Sequence, residues 1–327
     1  MTSLRLPAQA RYFVSVTGIS DLTEALAWAA TEGQETLLLG GGSNLVLAGD
    51  YNGLVIRMAF PGRRWEDVSE ETATLVLGAG ENWHEAVIHA ASEGYRGIEN
   101  LALIPGSTGA APVQNIGAYG AELKDTLVSV TAYDCGIGKP VTLSNADCRF
   151  RYRDSLFKQE PGRYIIVEIR LGLSRTRPFT LGYGELKTCL GDCPGPGSLT
   201  PLQVAEAVMT VRRRKLPDPD QLPNAGSFFK NPLVPLAHWK RLQARYPAVV
   251  GFPGESTAKL AAAWLIDQCG WKGYRDRRVG VHDRQALVLI NHDGGTGDEL
   301  LALAERIQED VKNRFGVALE VEPRIIR

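Results

Sequence analysis

The segment from Pro105 to Gly120 constrains the fold most strongly, because glycine and other small residues dominate it. Glycine has no Cβ atom, so a ligand can approach the backbone closely and the chain can adopt a positive φ. Gln114, Asn115 and Tyr119 add polar groups that can orient a flat ring rich in heteroatoms. The segment therefore predicts a loop that holds a cofactor.

A second glycine-rich run, Gly-Gly-Gly-Ser-Asn, occupies residues 40–44. It follows the apolar residues Thr36–Leu39, which the pattern predicts to be a strand. Loops at the ends of buried strands often hold phosphates in α/β folds, because backbone N–H groups converge there. Two such loops predict a ligand with two ends instead of two ordinary connections.

Length and composition narrow the class of protein. A chain of 327 residues exceeds the roughly 250–300 residues of a single core, so two or three domains are expected. A net charge of −1 gives no general attraction to nucleic acid or to anionic membranes. The five cysteines lack paired spacing, which favours reduced thiols in a cytoplasm, and no secretory or membrane-spanning segment is predicted.

Two common kinds of site are not indicated. His84 and His89 are five residues apart, which turns them about 140° from each other on a helix, so they cannot share a metal ion. We therefore predict no metal site. The P-loop pattern is missing, and neither glycine-rich loop fits Gly-x-Gly-x-x-Gly, which argues against a Rossmann dinucleotide site.

Capping and periodicity predict the element boundaries. Helices are predicted to begin after Ser20, Asn82, Thr200, Ser256 and Thr296. Strands are predicted over 54–58, 74–78, 127–133, 165–171, 286–290 and 317–322. The proline-rich residues 216–223 are predicted to be extended and to precede a C-terminal α+β unit.

Several residues outside the glycine-rich loops are candidates for chemistry. Ser227 lies in Asn-Ala-Gly-Ser-Phe-Phe-Lys-Asn-Pro and could donate a proton to a strongly basic carbanion, or simply occupy a turn. Arg153 could clamp a carboxylate or pair with an acidic neighbour. Lys215 ends the basic run 212–215, which suits either a diphosphate contact or a solvated helix end. Near the C-terminus, Glu320 and Glu322 share one face of an alternating segment.

The order of these motifs resembles the UDP-N-acetylenolpyruvoylglucosamine reductase family. The matching blocks span nearly the whole chain and lie at 40–44, 78–83, 105–120, 152–158, 215–219, 226–232 and 319–322. Gly-Tyr-Gly-Glu-Leu at 182–186 further resembles the type I branch, in which a tyrosine loop closes over the substrate. Because Val321 and Pro323 flank Glu322 in an altered order, Glu320 stays open as the alternative carboxylate.

The resemblance implies an α+β protein with a two-subdomain FAD-binding fold of the vanillyl-alcohol-oxidase (PCMH) type and a C-terminal substrate domain. The implied boundaries are 1–67 and 68–210 for the FAD-binding subdomains and 211–327 for the UDP-sugar domain, whose last residues could return to the first subdomain. Noncovalent FAD would take a hydride from NADPH and deliver it to UDP-N-acetylglucosamine enolpyruvate, in peptidoglycan precursor synthesis. The protein would be a cytoplasmic monomer whose partners are these small molecules, and not nucleic acid or membranes.

The resemblance also assigns residues. Ser227 would be the proton donor, and Arg153 and Glu322 would complete the catalytic set. Substrate contacts would come from Tyr119, Arg153, Tyr183, Lys215, Asn231 and Gln285. FAD contacts would come from Gly40, Gly41, Gly42, Ser43, Asn44, Leu45, Ile104, Pro105, Gly106, Ser107, Gly109, Asn115, Gly117, Ala118, Tyr119 and Arg324. Two alternatives stay open: another FAD-dependent oxidase of the same fold, and a nonenzymatic UDP-sugar-binding protein.

Overall fold

The chain divides into two units in a computed structural model that describes residues 2–191 and 199–327. The larger unit comprises Ala10–Gly41 and Asn52–Arg214, and the smaller comprises Met1–Gln9, Gly42–Tyr51 and Lys215–Arg327. The domain boundaries at 67/68 and 210/211 stay predictions. The described cysteines are free thiols, and Cys193 lies outside the described residues. No helix within the described ranges combines the length and apolar composition needed to cross a membrane.

The secondary structure mixes strands and helices throughout. The strands are β1 (Ala10–Val16), β2 (Thr36–Leu39), β3 (Leu45–Leu47), β4 (Tyr51–Met58), β5 (Arg63–Glu66), β6 (Thr72–Gly78), β7 (Gly117–Ala118), β8 (Ala121–Glu122), β9 (Leu127–Asp134), β10 (Lys139–Ser144), β11 (Tyr164–Ser174), β12 (Asn224–Ser227), β13 (Leu233–Pro235), β14 (Gly251–Pro253), β15 (Thr257–Leu260), β16 (Val279–Val281), β17 (Val288–Asn291) and β18 (Arg324–Ile326). The helices are α1 (Ile19–Thr31), α2 (Trp83–Ser92), α3 (Leu156–Gln159), α4 (Gly184–Leu190), α5 (Pro201–Lys215), α6 (Leu236–Arg245), α7 (Ala262–Gln268) and α8 (Gly297–Phe315).

Within the described residues, the larger unit contains two main sheets and the two-stranded pair β7-β8. Five strands pair in the order β10-β9-β11-β6-β5, and three pair in the order β1-β4-β2. Strand β11 alternates buried and part-exposed residues, as expected for a strand with one face on a core. Trp83 of α2 is buried in that core with Ile169 of β11. A second core, around Leu22 and Ile56, lies under the three-stranded sheet.

Strands β2 and β4 of the smaller sheet run parallel, with Leu39 opposite Arg57. Parallel strands end at the same edge of a sheet. The residues that follow β2, Gly40 and Gly41, and the residue near the end of β4, Arg57, are therefore neighbours at that edge. This pairing positions the first glycine-rich loop.

The smaller unit surrounds a single apolar core. Its sheets have the strand orders β12-β17-β16, β13-β15-β14 and β18-β3. Helix α8 contributes Leu300 and Ile307, which pack with Phe228. Thr296 and Glu299 form the predicted capping box at the start of α8, since each side chain accepts a hydrogen bond from the other residue's backbone N–H.

Most predicted strands are present, but three predictions are wrong: the start of one helix, the presence of a second helix and the presence of one strand. Helix α1 begins before Ser20, because Gly18 is the N-cap and the Asp21 carboxylate accepts hydrogen bonds from Thr17. Ser256 precedes strand β15 instead of a helix, since β13 and β14 supply backbone partners on both sides. In 317–322, only Val321 forms a bridge, to Phe229. Pro323 has no N–H to extend that pairing, and the final strand β18 begins after it.

Candidate active site

The two glycine-rich loops contact each other within the larger unit. A Cβ atom on Gly40 would lie 2.5 Å from Ser107 Oγ, and one on Gly41 would lie 2.6 Å from the Cα of Gly106. Because the clash at Gly41 is with backbone, a side chain there would push the loops apart. Gly109 packs in the same way against Ala79, whose Cβ would be 2.5 Å from an added Cβ. Gly40 and Gly41 are thus brought together with Gly106 and Ser107, and a cofactor contact by these residues stays a prediction.

A cavity of about 160 Å³ opens beside the contact between the loops. It is lined by Gly40, Gly41, Arg57, Met58, Ala59, Pro61, Gly80, Glu81 and Ser107. The Oγ atom of Ser107 is buried and has no hydrogen-bond partner within the described residues. A buried hydroxyl without a partner is costly, so it indicates a ligand or water at this position. Arg57 and Glu81 were not predicted from the sequence.

The buried side chain of Asn115 holds the second glycine-rich loop in shape through hydrogen bonds. Its backbone is left-handed, with φ 46°, and its side chain is fully buried. The amide Nδ2 donates to Glu122 Oε2 at 3.0 Å and to the Arg151 carbonyl at 3.2 Å, while Oδ1 accepts from Lys124 N at 3.0 Å. The side chain therefore holds the loop in shape, and a cofactor contact by Asn115 stays a prediction.

Arg153 and Tyr119 both have positive φ, 55° and 51°, which is uncommon for residues with side chains. Arg153 Nη2 donates to the Gly117 carbonyl at 2.9 Å, which ties the guanidinium to the second loop. Strained backbone of this kind costs about 1–3 kcal/mol and clusters at functional sites. The structure thus places the predicted carboxylate clamp beside the predicted cofactor loop.

The rings of Tyr119 and Tyr183 meet edge to face, with centroids 5.0 Å apart. Tyr183 is the N-cap of α4 and is 43% exposed. Asn100, which is buried, donates from Nδ2 to the carbonyls of Tyr119 at 2.9 Å and Thr180 at 2.8 Å. Asn100 thereby joins the second loop to the segment that carries Tyr183, so the two predicted substrate contacts lie together.

Arg212 near the end of α5 is a residue whose importance the sequence did not indicate. Burial lowers the pKa of its guanidinium, Tyr119 acts to raise that pKa, and the charge of Arg153 lowers it further. Arg213 and Arg214 are exposed, as expected of a solvated helix end, but Arg212 is not. The spacing of the basic run could not reveal this difference, because it depends on which side of α5 is covered.

In the smaller unit, Ser227 and Glu322 lie on segments joined through Phe228. Phe228 N donates to the Leu287 carbonyl at 2.7 Å, and Glu322 N donates to the Phe228 carbonyl at 2.9 Å. Gly226 has φ 69°, and its N–H donates to Asn224 Oδ1 at 2.8 Å, which fixes the turn before the serine. Both predicted catalytic groups of this unit are half-buried.

The remaining predicted substrate residues of this unit have structural contacts as well. Asn231 Oδ1 accepts from Ala262 N at 3.0 Å and so caps α7, and Gln285 Oε1 accepts from Leu287 N at 3.4 Å. Lys215 ends α5 and is half-buried. Glu320 forms an ion pair with Lys230 and is 71% exposed. A carboxylate with this degree of exposure is the weaker candidate for catalysis, which favours the half-buried Glu322.

The later part of the first glycine-rich loop belongs to the smaller unit, where it meets the C-terminus. Strand β18 pairs in parallel with β3, with Arg324 opposite Leu45. Arg324 N donates to the Asn44 carbonyl at 3.0 Å, and Ser3 Oγ donates to the Ser43 carbonyl at 3.3 Å. The predicted FAD contacts from Gly42 to Leu45 and Arg324 are therefore adjacent.

Family profiles match two parts of the chain. The profile described as the UDP-N-acetylenolpyruvoylglucosamine reductase C-terminal domain matches residues 218–326, and one described as an FAD binding domain matches residues 10–144. Both matches agree with the locations of the motifs in the sequence.

Curated proteins match over nearly the full length. The UDP-N-acetylenolpyruvoylglucosamine reductase of Pseudomonas aeruginosa is 49% identical, with 98% of this chain and 94% of the relative covered. The protein of the same name from Chromobacterium violaceum is 48% identical, with coverage of 98% and 95%. Among solved structures, the reductase of that name from Thermus caldophilus superposes with a TM-score of 0.70 at 23% identity, covering 100% of this chain and 96% of its own. That likeness shows the same fold.

Proposed function

The chain belongs to the UDP-N-acetylenolpyruvoylglucosamine reductase family, and on that premise we propose a role in the reaction for each of its site residues. The protein is an FAD-dependent oxidoreductase that reduces UDP-N-acetylglucosamine enolpyruvate in peptidoglycan precursor synthesis. Its fold combines a PCMH-type FAD-binding domain with the C-terminal domain of the family. The observation that carries the proposal is the contact between the two glycine-rich loops beside a cavity.

The residues of the larger unit fit FAD. Gly40 and Gly41 line the cavity, where a phosphate-bearing ligand can approach their backbone, and Ser107 Oγ, which has no hydrogen-bond partner among the described residues, offers that ligand a hydrogen bond. Bound FAD supplies hydride transfer from a pyridine nucleotide, for which we take NADPH, to the enolpyruvyl double bond. Gly106, Gly109 and the segment around Asn115 would hold the cofactor through backbone groups.

Arg153 and Glu322 would act on the substrate carboxylate and on the charge that develops beside it. A guanidinium presents a planar fork of donors that matches a carboxylate, and the bond to the Gly117 carbonyl fixes its orientation. Reduction of the double bond places negative charge next to the carboxylate, where preorganised groups are most effective. Glu322, held through its backbone to Phe228, would complete this set.

Ser227 would donate a proton to the carbon next to the one that receives hydride. A serine hydroxyl is a weak acid, so it can protonate only a strongly basic carbon in a site that excludes water. The turn at Gly226 and the buried Phe228 fix the backbone on both sides of the serine, which supports this role.

Lys215, Asn231 and Gln285 would bind the UDP part of the substrate, and Tyr183 would close over it beside Tyr119. Lysine acts toward a diphosphate as a point charge, and the half-buried position of Lys215 reduces screening by water.

The near-neutral net charge supports a protein whose partners are small molecules, and we propose that it acts as a cytoplasmic monomer.

A substrate-dependent NADPH oxidation assay tests this function. The purified protein should be yellow, with flavin absorption at about 450 nm. Oxidation of NADPH should then depend on added UDP-N-acetylglucosamine enolpyruvate. Oxygen-dependent turnover of an alcohol or sugar, without the enolpyruvyl substrate, would instead indicate an oxidase of the same fold. Binding of the UDP-sugar by a colourless protein would indicate a nonenzymatic binding protein.

A further inference from the structure

Among the residues that the structure describes, Arg57 is the one positively charged side chain that lines the cavity beside the glycine-rich loops. It lies near the end of β4, directly opposite Leu39, so it is adjacent to Gly40 at the same edge of the sheet. Its side chain is exposed and forms no hydrogen bond or ion pair with any residue that the structure describes. A cation at such an edge, beside two bare glycines, matches the surroundings of a bound phosphate.

The cavity is lined by charges of both signs. Arg57 and Glu81 both line it, and Gly80, which precedes Glu81, packs against the backbone of Ala59. Glu81 Oε1 accepts a hydrogen bond from Gly62 N at 2.9 Å, which fixes the carboxylate. A carboxylate repels phosphate but accepts hydrogen bonds from hydroxyl groups. The cavity therefore suits a phosphate near Arg57 and a sugar hydroxyl near Glu81.

We infer that Arg57 is a further cofactor-binding residue, whose guanidinium pairs with the diphosphate of FAD. This inference rests on the proposed function, since it takes FAD as the resident cofactor. At about 160 Å³ the cavity is too small for a whole dinucleotide, so it holds one fragment of it. The diphosphate is the anionic part of FAD, and the sugar carbons on either side of it carry the hydroxyl groups.

Replacing Arg57 tests the inference through cofactor affinity. FAD is titrated into the deflavinated full-length protein and followed by quenching of flavin fluorescence, and ADP is used as a competitor for the same site. Arg57→Ala should raise the dissociation constants of FAD and ADP by a similar factor, about tenfold. Arg57→Lys should recover part of the loss, because it keeps the charge without the planar fork.

Arg63→Ala is the matched control, because Arg63 is exposed and close in sequence but does not line the cavity. Its FAD affinity should equal that of the wild type, and the deficit of Arg57→Ala should shrink as ionic strength rises. Equal FAD affinity in the wild type and Arg57→Ala would overturn this inference and leave the proposed function standing. So would a variant that loses affinity for FAD but not for ADP. A wild-type protein that fails to bind FAD would instead overturn the proposed function.

Discussion

The Nδ1 atom of His84 accepts a hydrogen bond from the backbone N–H of Leu103, 3.2 Å away. Leu103 has φ 57° and leads into the second glycine-rich loop at Ile104 and Pro105. A nitrogen that accepts this bond carries no proton. Burial lowers the pKa of His84 below its ordinary value of 6.5, and the charge of Arg213 lowers it further. The neutral imidazole thus anchors the start of the cofactor loop.

Acidification should therefore destabilise the protein through His84. Because the folded pKa is lower than the unfolded one, the unfolded chain binds more protons as the pH falls through about 6.5. The stabilisation is present above that pH and is lost below it. His84→Asn can keep the acceptor without titrating, so its free energy of unfolding should fall less than that of the wild type between pH 7.5 and 5. Urea denaturation at each pH measures this, and parallel curves would contradict it.

Gly41→Ala should disrupt the contact between the glycine-rich loops. The added Cβ would lie 2.6 Å from the Cα of Gly106 and 3.1 Å from its carbonyl carbon, and neither backbone atom can move without shifting the loop. We expect at least about a tenfold loss of FAD affinity, visible as a lower flavin-to-protein absorbance ratio. Gly49→Ala is the control, since nothing lies within 4 Å of its added Cβ. Equal flavin content in both variants would show that the loops can separate without consequence.

Local sequence signals were sufficient where the structure depends on nearby residues. The capping box of Thr296 and Glu299 and the strand Thr36–Leu39 are where the sequence predicts them. Ser256 resembles a helix cap, but pairing with β13 and β14 overrides that local preference. Such pairing joins segments that are distant in sequence, so the spacing of residues cannot reveal it.

The same limit applies to the site. The glycine-rich loops are recognisable because each carries its signal within a few residues. Arg57 borders the cavity only because β4 pairs in parallel with β2, and Arg212 is covered only because of the surroundings of α5. Arg57 belongs to no motif, and the basic run 212–215 does not show which of its members is covered. The side-chain contacts of Asn115 likewise became visible only with its partners Glu122 and Lys124 in place.

Ser227→Ala should separate the two halves of the reaction. Reduction of the flavin by NADPH needs no proton from the serine, so its rate should be unchanged. Reduction of the enolpyruvyl substrate should slow by about 10²–10⁴-fold, the usual contribution of a positioned proton donor. Stopped-flow absorbance measures each half separately. A substrate-reduction rate equal to that of the wild type would remove Ser227 from the mechanism.

Glu322→Gln should impair substrate reduction far more than Glu320→Gln does. Glu320 is exposed and paired with Lys230, whereas Glu322 is half-buried and bound through its backbone to the serine-bearing segment. We expect a loss of roughly 100-fold for Glu322→Gln, in the range of other preorganised electrostatic groups, and little change for Glu320→Gln. Single-turnover rates compare the two variants directly. Comparable losses would leave both carboxylates as candidates.

Lys215→Ala should weaken binding of the UDP-sugar more than it changes reduction of the flavin. A diphosphate contact remote from the reacting carbons supplies mainly binding energy, so KM should rise, by about tenfold, with a smaller change in kcat. The difference from the wild type should narrow at high salt, because added ions screen the attraction. Arg214→Ala is the control, since this exposed neighbour carries the same charge at the same helix end. If the basic run is only a solvated helix end, titration of the UDP-sugar will give one affinity for the wild type and both variants at every salt concentration.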